Sequence, residues 1–277
     1  MKSNFILSIA FLLSLVSGFG QDLKVMTYNI KYDNKNDTVN NWNDRKLPMV
    51  QLLEKYQPAV VGMQEVLSTQ LEYLDKSLPV YSFVGVGRED GKEKGEFSPI
   101  FYNKDKFTLS ESGTFWLSNT PENISIGWDA ALERICTYAL LEKKNTNEKF
   151  WVFNTHFDHR GEKARKKSVK LILKKIKEIN LNHLPVVLMG DLNLQPEQKP
   201  IQILSRKMDD GLKVTEKSNE GPIGTFNGFN LEEPISRRID YIFTSGFNVK
   251  SYSHIDERLK NGKHISDHLP VVASLSK

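Results

Sequence analysis

Short apolar runs that recur from one end of the chain to the other most constrain how it can fold. They are rich in β-branched and aromatic residues, a composition that favours β-strands. The predicted strands are Leu23–Ile30, Pro58–Gln64, Tyr81–Val86, Pro99–Tyr102, Thr137–Glu142, Phe150–Thr155, Pro185–Met189, Ile239–Phe243 and Leu269–Leu275. After residue 20 no repeat, low-complexity stretch or linker rich in Pro, Gly and Ser divides the sequence. We therefore predict one domain over residues 21–277.

Helical patterns lie between these runs, at Arg45–Tyr56, Ser68–Leu78 and Glu162–Ile179. In the last of them, Val169 and Ile172 fall on the same face as the other apolar residues, as in a helix that covers a core. Strands and helices do not alternate strictly, so a single parallel sheet fits poorly. The prediction is an α/β fold, a four-layer α/β/β/α sandwich in which two mixed β-sheets pack together and helices cover their outer faces.

The N-terminus has the pattern of an export signal. Lys2 precedes the apolar run Phe5–Val16, and the small residues Gly18 and Gly20 follow it at a cleavage position. The run is shorter than the ~20 residues of a membrane-spanning helix. We favour a cleaved signal peptide over residues 1–20 against an uncleaved anchor. A secreted or periplasmic protein with no stable membrane insertion after cleavage is expected.

A single cysteine, Cys136, limits the chemistry that is available. It excludes an intramolecular disulfide and a thiolate cage for a metal, so any metal would be bound by oxygen or nitrogen. The net charge of +4 is small for 277 residues and suits an anionic partner without requiring one. We expect a monomer.

Polar side chains stand at the ends of several apolar runs, where they can converge on one cleft. They are Asn29, Glu65, His156, Asp191, Asn193, Asp267 and His268. Taken singly, each has an ordinary structural interpretation. Glu65 suits the first turn of a helix, and a lone histidine such as His156 is more often a hydrogen-bonded buried group than a catalyst.

Taken together, six blocks of sequence resemble the endonuclease/exonuclease/phosphatase superfamily, which includes DNase I, exonuclease III and neutral sphingomyelinases. The blocks are Thr27–Ile30, Gln64–Glu65, Asn154–His156, Gly190–Asn193, Arg238–Ile242 and Ser266–Pro270, in the order of that family. The resemblance spans residues 23–275 and implies the DNase I-like form of the four-layer sandwich. Trp128–Ala131 and Thr225–Phe229 further resemble secreted bacterial proteins related to the carbon catabolite repressor deadenylases and nocturnin.

The resemblance implies a hydrolase of phosphoesters that depends on Mg²⁺ or Mn²⁺. Glu65 matches the metal-binding glutamate of the family, and Asn29 would help to position the metal or its waters. Asp267 would bind a second metal or orient His268. Carboxylate and amide oxygens are the ligands that these hard cations prefer.

The same resemblance implies roles for the remaining polar residues. Asp191 and Asn193 match the pair that orients and deprotonates the attacking water, with Asp191 as the general base. His156 and His268 would contact the phosphate, and Asp240 would fix the tautomer of His268.

Arg134 resembles an arginine that reaches the phosphate. Its planar guanidinium suits contact with two phosphate oxygens. The alternative, a surface ion pair with Glu133 or Glu142, stays open.

The leading hypothesis is a phosphodiesterase that acts on nucleic acid or a nucleotide-like ester, with an exoribonuclease-like activity as one form of it. The basic run between Arg160 and Lys177 could follow a polyanionic backbone, although such a run also suits a solvated helix face. The aromatic residues that could stack on bases are Trp42, Trp116, Trp128, Phe226 and Phe229. Two alternatives remain: a phospholipid, sphingomyelin or inositol-phosphate esterase that uses the same site, and a binding module without catalysis.

Overall fold

The computed structural model describes residues 22–217 and 221–277. The signal peptide predicted over residues 1–20 lies outside them. The strands are β1 Leu23–Asn29, β2 Val60–Gln64, β3 Tyr81–Val84, β4 Ile100–Asn103, β5 Phe107–Trp116, β6 Ile135–Lys143, β7 Lys149–His156, β8 Val186–Asp191, β9 Asp209–Asp210, β10 Asp240–Ser245, β11 Asn248–His254 and β12 Val271–Ser276. The helices are α1 Trp42–Tyr56, α2 Ser68–Ser77, α3 Glu162–Ile179, α4 Lys199–Ser205 and α5 Gly211–Val214.

The strands form two mixed six-stranded sheets. The first has the order β11-β12-β1-β2-β4-β3 and the second the order β5-β6-β7-β8-β10-β9. Near the centre of each sheet one pair is parallel, β1 with β2 and β7 with β8, and the other pairs are antiparallel. The predicted α/β sandwich of two mixed sheets flanked by helices is confirmed.

Three apolar layers hold the four structural layers together, because the central strands are apolar on both faces. Between the sheets, Val25 and Val60 of the first sheet share a cluster with Val152 and Val187 of the second. Outside the first sheet, a second cluster joins strand residues to α1 and α2: Met26, Val61, Met49, Leu53, Leu71 and Leu74. Outside the second sheet, a third cluster does the same for α3 and α4: Phe153, Leu188, Val169, Ile172, Ile201 and Leu204.

Every predicted strand and helix overlaps an observed one, but the strands β5, β9 and β11 and the short helices α4 and α5 were not predicted. The three strands lie at sheet edges. β9 has only two residues, and β5 and β11 are largely polar, with exposed or half-buried residues over most of their length. A strand that buries little apolar surface carries no apolar run for a sequence pattern to detect. In the described part of the chain, none of the helices has both the length and the apolar character to cross a membrane.

An amide pair joins the two sheets directly below the ends of the central strands. Nε2 of Gln64 donates 2.7 Å to Oδ1 of Asn154. Nδ2 of Asn154 in turn donates to the carbonyls of Met63 and Pro99, each at 2.8 Å. Gly62 leaves the space for this contact, since a Cβ there would lie 2.7 Å from Cγ of Asn154. These bonds fix the spacing of the two sheets at the edge where the polar residues gather.

Candidate active site

A cleft of about 460 Å³ opens where the two sheets end. Of the residues proposed from the sequence, seven line it: Glu65, Arg134, His156, Asp191, Asn193, Asp267 and His268. Asn29 and Asp240 are buried beside it and bond to residues that line it. The structure therefore brings together all of the residues to which the sequence assigned catalytic, phosphate-binding or metal-binding roles.

Strand register explains why side chains so distant in sequence meet. In the first sheet Asn29 is paired with Gln64, the residue before Glu65. In the second sheet Asp191 is paired with His156 on one side and with Asp240 on the other. Parallel strands end at the same edge, so their last residues share one cleft.

Asn29 links the predicted metal ligand to the predicted base. Its Nδ2 donates to Oε1 of Glu65 at 3.1 Å and to Oδ2 of Asp191 at 3.0 Å. Its Oδ1 accepts from the backbone N–H of Lys31 at 3.1 Å. One amide thus holds both carboxylates in a fixed relation.

Lys31, which the sequence analysis missed, lies between the two carboxylates assigned to metal binding. Its Nζ is 3.5 Å from Oε2 of Glu65 and 3.2 Å from Oδ2 of Asp267. Burial raises the pKa of Glu65, but Lys31 and His268, with hydrogen bonds from Asn29 and the backbone of Tyr32, outweigh it and hold that pKa below its ordinary value. Burial opposes the charge on Lys31, yet Glu65 and Asp267 raise its pKa above the ordinary value.

The backbone is left-handed at several of these positions. Lys31 has φ 57°, Glu65 has φ 59° and Asn193 has φ 49°. Such conformations in residues other than glycine cost about 1–3 kcal/mol each and persist only where surrounding contacts impose them. Here Oδ1 of Asn29 accepts from the N–H of Lys31, and Oδ1 of Asp191 accepts from the N–H of Asn193 at 2.9 Å. Two of these three left-handed residues are thus held by hydrogen bonds to Asn29 and Asp191 of the site itself.

Asp240, His268 and Asp191 form a buried chain of charges. Nδ1 of His268 donates 2.9 Å to Oδ2 of Asp240, and its Nε2 lies 3.7 Å from Oδ2 of Asp191. Burial opposes protonation of His268, but Asp240 and Asp191 outweigh it and raise its pKa to about 10. Burial and the charge of Asp240 raise the pKa of Asp191 to about 7, although His268 opposes this. His268 is thus a cation at neutral pH, next to a carboxylate that can take up a proton.

His156 is held as a neutral imidazole with its proton on Nδ1. Nδ2 of Asn193 donates to the backbone carbonyl of Phe157 at 3.0 Å and to Nε2 of His156 at 3.1 Å, which makes Nε2 an acceptor. Burial and then Arg134 and Arg88 lower the pKa of His156 well below its ordinary value. The Nδ1 atom of His156 is buried and has no hydrogen-bond partner among residues 22–217 and 221–277.

Arg134 is buried and held by a loop that follows β7. Its Nε donates to Oδ2 of Asp158 at 3.4 Å, and its Nη2 lies 3.0 Å from Nδ1 of His159. Its ion-pair partner is therefore Asp158, and not Glu133 or Glu142. Nη1 is buried without a hydrogen-bond partner within the described residues.

Several residues of the site were not found from the sequence. Glu96 lines the cleft and accepts two bonds from Arg88, at 2.8 and 3.0 Å, while its Oε2 lies 3.8 Å from Nδ1 of His156. Asp158 and His159 come two and three residues after His156. Their position just after His156 could have marked Asp158 and His159 as candidate site residues. For Glu96 no motif marks the loop between β3 and β4.

The donor set fits a hard divalent cation. Glu65 and Asp267 supply carboxylate oxygens, and the ammonium of Lys31 between them indicates a position suited to positive charge. Asn29, which the sequence also assigned to metal binding, presents Nδ2 and not Oδ1 to Glu65, so it positions that carboxylate instead of offering an oxygen ligand. Asp191, Asp240 and His268 also place potential ligand atoms within 4.8 Å of one another. In that second group His268 and Asp240 bond to each other, and in the first group Lys31 is paired with both carboxylates.

The sequence and the fold are similar to those of proteins in a known family. The Endonuclease/Exonuclease/phosphatase family model matches residues 26–268. The solved mannosyl-6-phosphatase of Bacteroides thetaiotaomicron is 36% identical, with a TM-score of 0.89 over 92% of this chain and 100% of that one. The human nocturnin catalytic domain is 19% identical and shares the fold, with a TM-score of 0.72 over 92% of this chain and 94% of that one. A probable RNA exonuclease of Saccharomyces cerevisiae is 28% identical over 208 residues, which are 67% of this chain and 40% of that protein.

Proposed function

The chain belongs to the endonuclease/exonuclease/phosphatase family, and we propose that it is a metal-dependent phosphatase that hydrolyses phosphomonoesters of small hydroxylated alcohols such as sugars. One observation carries the proposal. Nη1 of Arg134 and Nδ1 of His156 belong to residues that line the cleft and are buried donors without a partner in the described part of the chain. An unmade buried hydrogen bond costs about 1–3 kcal/mol, and a phosphate oxygen would satisfy both groups.

Glu65 and Asp267 would hold Mg²⁺ or Mn²⁺, and Asn29 would position Glu65 through the hydrogen bond from its Nδ2. When bound, the ion supplies Lewis acidity to a phosphate oxygen and to the departing oxygen. The two carboxylates offer only oxygen ligands, which favours these ions over thiophilic metals.

Asp191 is the proposed general base. A carboxylate whose pKa is raised to about 7 accepts a proton efficiently at neutral pH. It would remove a proton from water while the water oxygen forms a bond to phosphorus and the ester oxygen departs. Asn29 holds Asp191 in place, and the charged His268 and the neutral His156 would donate to phosphate oxygens.

The size and lining of the cleft favour a small substrate. About 460 Å³ accommodates a small molecule. Glu96, which is paired with Arg88, lines the cleft and can accept hydrogen bonds from hydroxyl groups. The 36% identity to a protein solved as a mannosyl-6-phosphatase supports a sugar phosphate.

Hydrolysis of nucleic acid is the second candidate function. Helix α3 begins four residues after Asp158 and exposes a lysine face, formed by Lys163, Lys166, Lys167, Lys170, Lys174 and Lys177. In the described residues none of these lysines lines the cleft. Among the aromatics proposed for stacking, Trp42 and Trp116 are buried, Trp128 and Phe229 are half-buried and do not line the cleft, and Phe226 lines it. The lysine face outside the cleft supports the small-ester proposal over the nuclease, whereas Phe226 suits either candidate.

Export to the periplasm or the exterior through the signal peptide of residues 1–20 is also proposed, together with a monomeric state. The charged start, short apolar run and small residues of the N-terminus support export. Mass spectrometry of the protein recovered from cell fractions tests it, and an intact N-terminus on membrane-bound protein would contradict it.

A panel of substrates distinguishes the candidates. The purified protein with Mg²⁺ is given sugar 6-phosphates, nucleoside monophosphates, inositol phosphates, sphingomyelin and single-stranded RNA, with Asp191→Asn as the control. Phosphate release from sugar phosphates that is lost in the variant supports the proposal. Cleavage of RNA without release from sugar phosphates would favour the nuclease, and no turnover of any substrate would favour a binding module.

A further inference from the structure

We propose that Lys31 competes with the divalent cation: its ammonium neutralises Glu65 and Asp267 when the metal is absent and is displaced when the metal binds. The inference rests on the proposed function, because it assumes that these carboxylates are metal ligands. It concerns a residue outside the six sequence blocks that matched the family.

The first observation is the position of the Lys31 ammonium. Nζ of Lys31 lies 3.5 Å from Oε2 of Glu65 and 3.2 Å from Oδ2 of Asp267. A cation that binds both carboxylates must face the same two oxygens. The ammonium and the metal therefore compete for the same negative charge.

The second observation is the backbone conformation of Lys31. Lys31 is held left-handed, at φ 57°, by the hydrogen bond from its N–H to Oδ1 of Asn29. A left-handed lysine is uncommon, and in this conformation the ammonium of Lys31 lies beside both carboxylates. The chain accepts a strained residue to place a positive charge at this point.

The third observation is the difference in exposure between Lys31 and the two carboxylates. The side chains of Glu65 and Asp267 are only 12% and 9% exposed, so water screens their repulsion poorly, whereas Lys31 is 27% exposed and has room to move into the cleft. A lysine stem is flexible, and its ammonium is a compact charge that can turn from one anion to another. Once displaced, the ammonium remains on the cleft wall, where a phosphate would lie.

Two measurements test the inference. Calorimetric titration with Mn²⁺ compares the wild-type protein with Lys31→Met, and Lys35→Met serves as the matched control because Lys35 is an exposed lysine of the same segment. Removal of the competing charge should tighten Mn²⁺ binding about tenfold in Lys31→Met, while the control should stay within about twofold of wild type. Equal affinity in Lys31→Met and wild type would overturn the inference.

The second measurement needs no variant. Brief acetylation of wild-type protein, followed by peptide mass spectrometry, reports how accessible each lysine is with and without saturating Mn²⁺. Lys31 should become several-fold more reactive with Mn²⁺, with Lys35 unchanged in the same digest. Unchanged reactivity of Lys31 would contradict displacement even if Lys31→Met binds Mn²⁺ more tightly.

Mn²⁺ binding by wild type and by Glu65→Gln shows whether the proposed metal site is wrong or only the proposed competition by Lys31. If wild-type protein binds no Mn²⁺, or if Glu65→Gln binds it as tightly as wild type, the metal site itself is wrong and the competition falls with it. If wild type binds Mn²⁺ and Glu65→Gln does not, the site stands and the two measurements on Lys31 decide the inference alone.

Discussion

Nδ1 of His268 donates a hydrogen bond of 2.9 Å to Oδ2 of Asp240, and both side chains are buried. Oγ1 of Thr225 donates to the same oxygen at 2.6 Å, so Asp240 is itself fixed. The opposite ring nitrogen, Nε2, is consequently aimed at Asp191, 3.7 Å away. Asp240 therefore sets both the charge and the direction of His268 in the cleft.

Asp240→Asn should lower kcat without unfolding the protein. An asparagine keeps the shape of the side chain but no longer stabilises the imidazolium, and the equivalent change in a Ser-His-Asp triad costs about 10⁴-fold. We expect kcat to fall by about a hundredfold or more, with KM changed far less. Steady-state kinetics with a phosphomonoester measures both, and Asp256→Asn, an exposed acid paired with Arg258, is the control. A kcat close to wild type would show that Asp240 has no such role.

Arg134→Lys should weaken binding of the phosphate group. The guanidinium is anchored by Asp158 through Nε, which leaves Nη1 free for phosphate, and an ammonium cannot make both contacts. We expect the inhibition constant for inorganic phosphate and the KM for substrate to rise about tenfold or more. Arg160→Lys, an exposed arginine of the same loop, should change neither. If Arg134→Lys left the inhibition constant and the KM as unchanged as Arg160→Lys does, Arg134 would not contact the phosphate.

Gly62→Ala should destabilise the fold. A Cβ at Gly62 would lie 2.7 Å from both Cγ and Oδ1 of Asn154 and from Sδ of Met189. Asn154 cannot yield without breaking its bonds to Gln64 and to backbone carbonyls. The free energy of unfolding should fall by about 1–3 kcal/mol, as for other overpacked sites. Denaturant titration measures it, and an unchanged midpoint would mean that the two sheets can separate slightly at this point without cost.

Asp158→Asn should destabilise the protein in a pH-dependent way. Burial raises the pKa of Asp158, but hydrogen bonds from the N–H groups of Gly161 and Arg160, and the charge of Arg134, outweigh it and hold that pKa below its ordinary value. A carboxylate with a lowered folded-state pKa stabilises the protein above its unfolded pKa of about 3.9, and this contribution is lost as pH falls through the folded value.

At pH 7 the loss in Asp158→Asn should therefore be about 1–2 kcal/mol, the size of a lost capping interaction. The difference between variant and wild type should shrink as the pH falls below about 4. Thermal unfolding measured across this range tests both points. A difference that is constant with pH would show that the charge of Asp158 does not contribute.

The interior of the fold could be predicted from sequence because the central strands are apolar on both faces. Runs such as Pro185–Met189 and Phe150–Thr155 mark strands that contact both the inner core and the helices, and α3 has the predicted bounds. The edge strands β5 and β11 carry no comparable signal. A sequence pattern records burial, so it finds the middle of a sheet better than its margins.

The site was predictable where its residues follow strands, as Asn29, Glu65 and Asp191 do. Lys31 and Glu96 were missed for different reasons. Lys31 contacts the carboxylates from a left-handed backbone position, and Glu96 lies in a loop where it is paired with Arg88. Neither conformation can be read from spacing along the chain.

The central claim is that phosphomonoester hydrolysis in this cleft requires a divalent cation and Asp191. The most direct test measures inorganic phosphate released from mannose 6-phosphate by protein stripped with EDTA, then resupplied with Mg²⁺, for wild type and Asp191→Asn. Phosphate release should be absent without metal, should recover with Mg²⁺, and should be slower in the variant by about a hundredfold or more. Equal release by stripped and resupplied protein, or by Asp191→Asn and wild type, would contradict it.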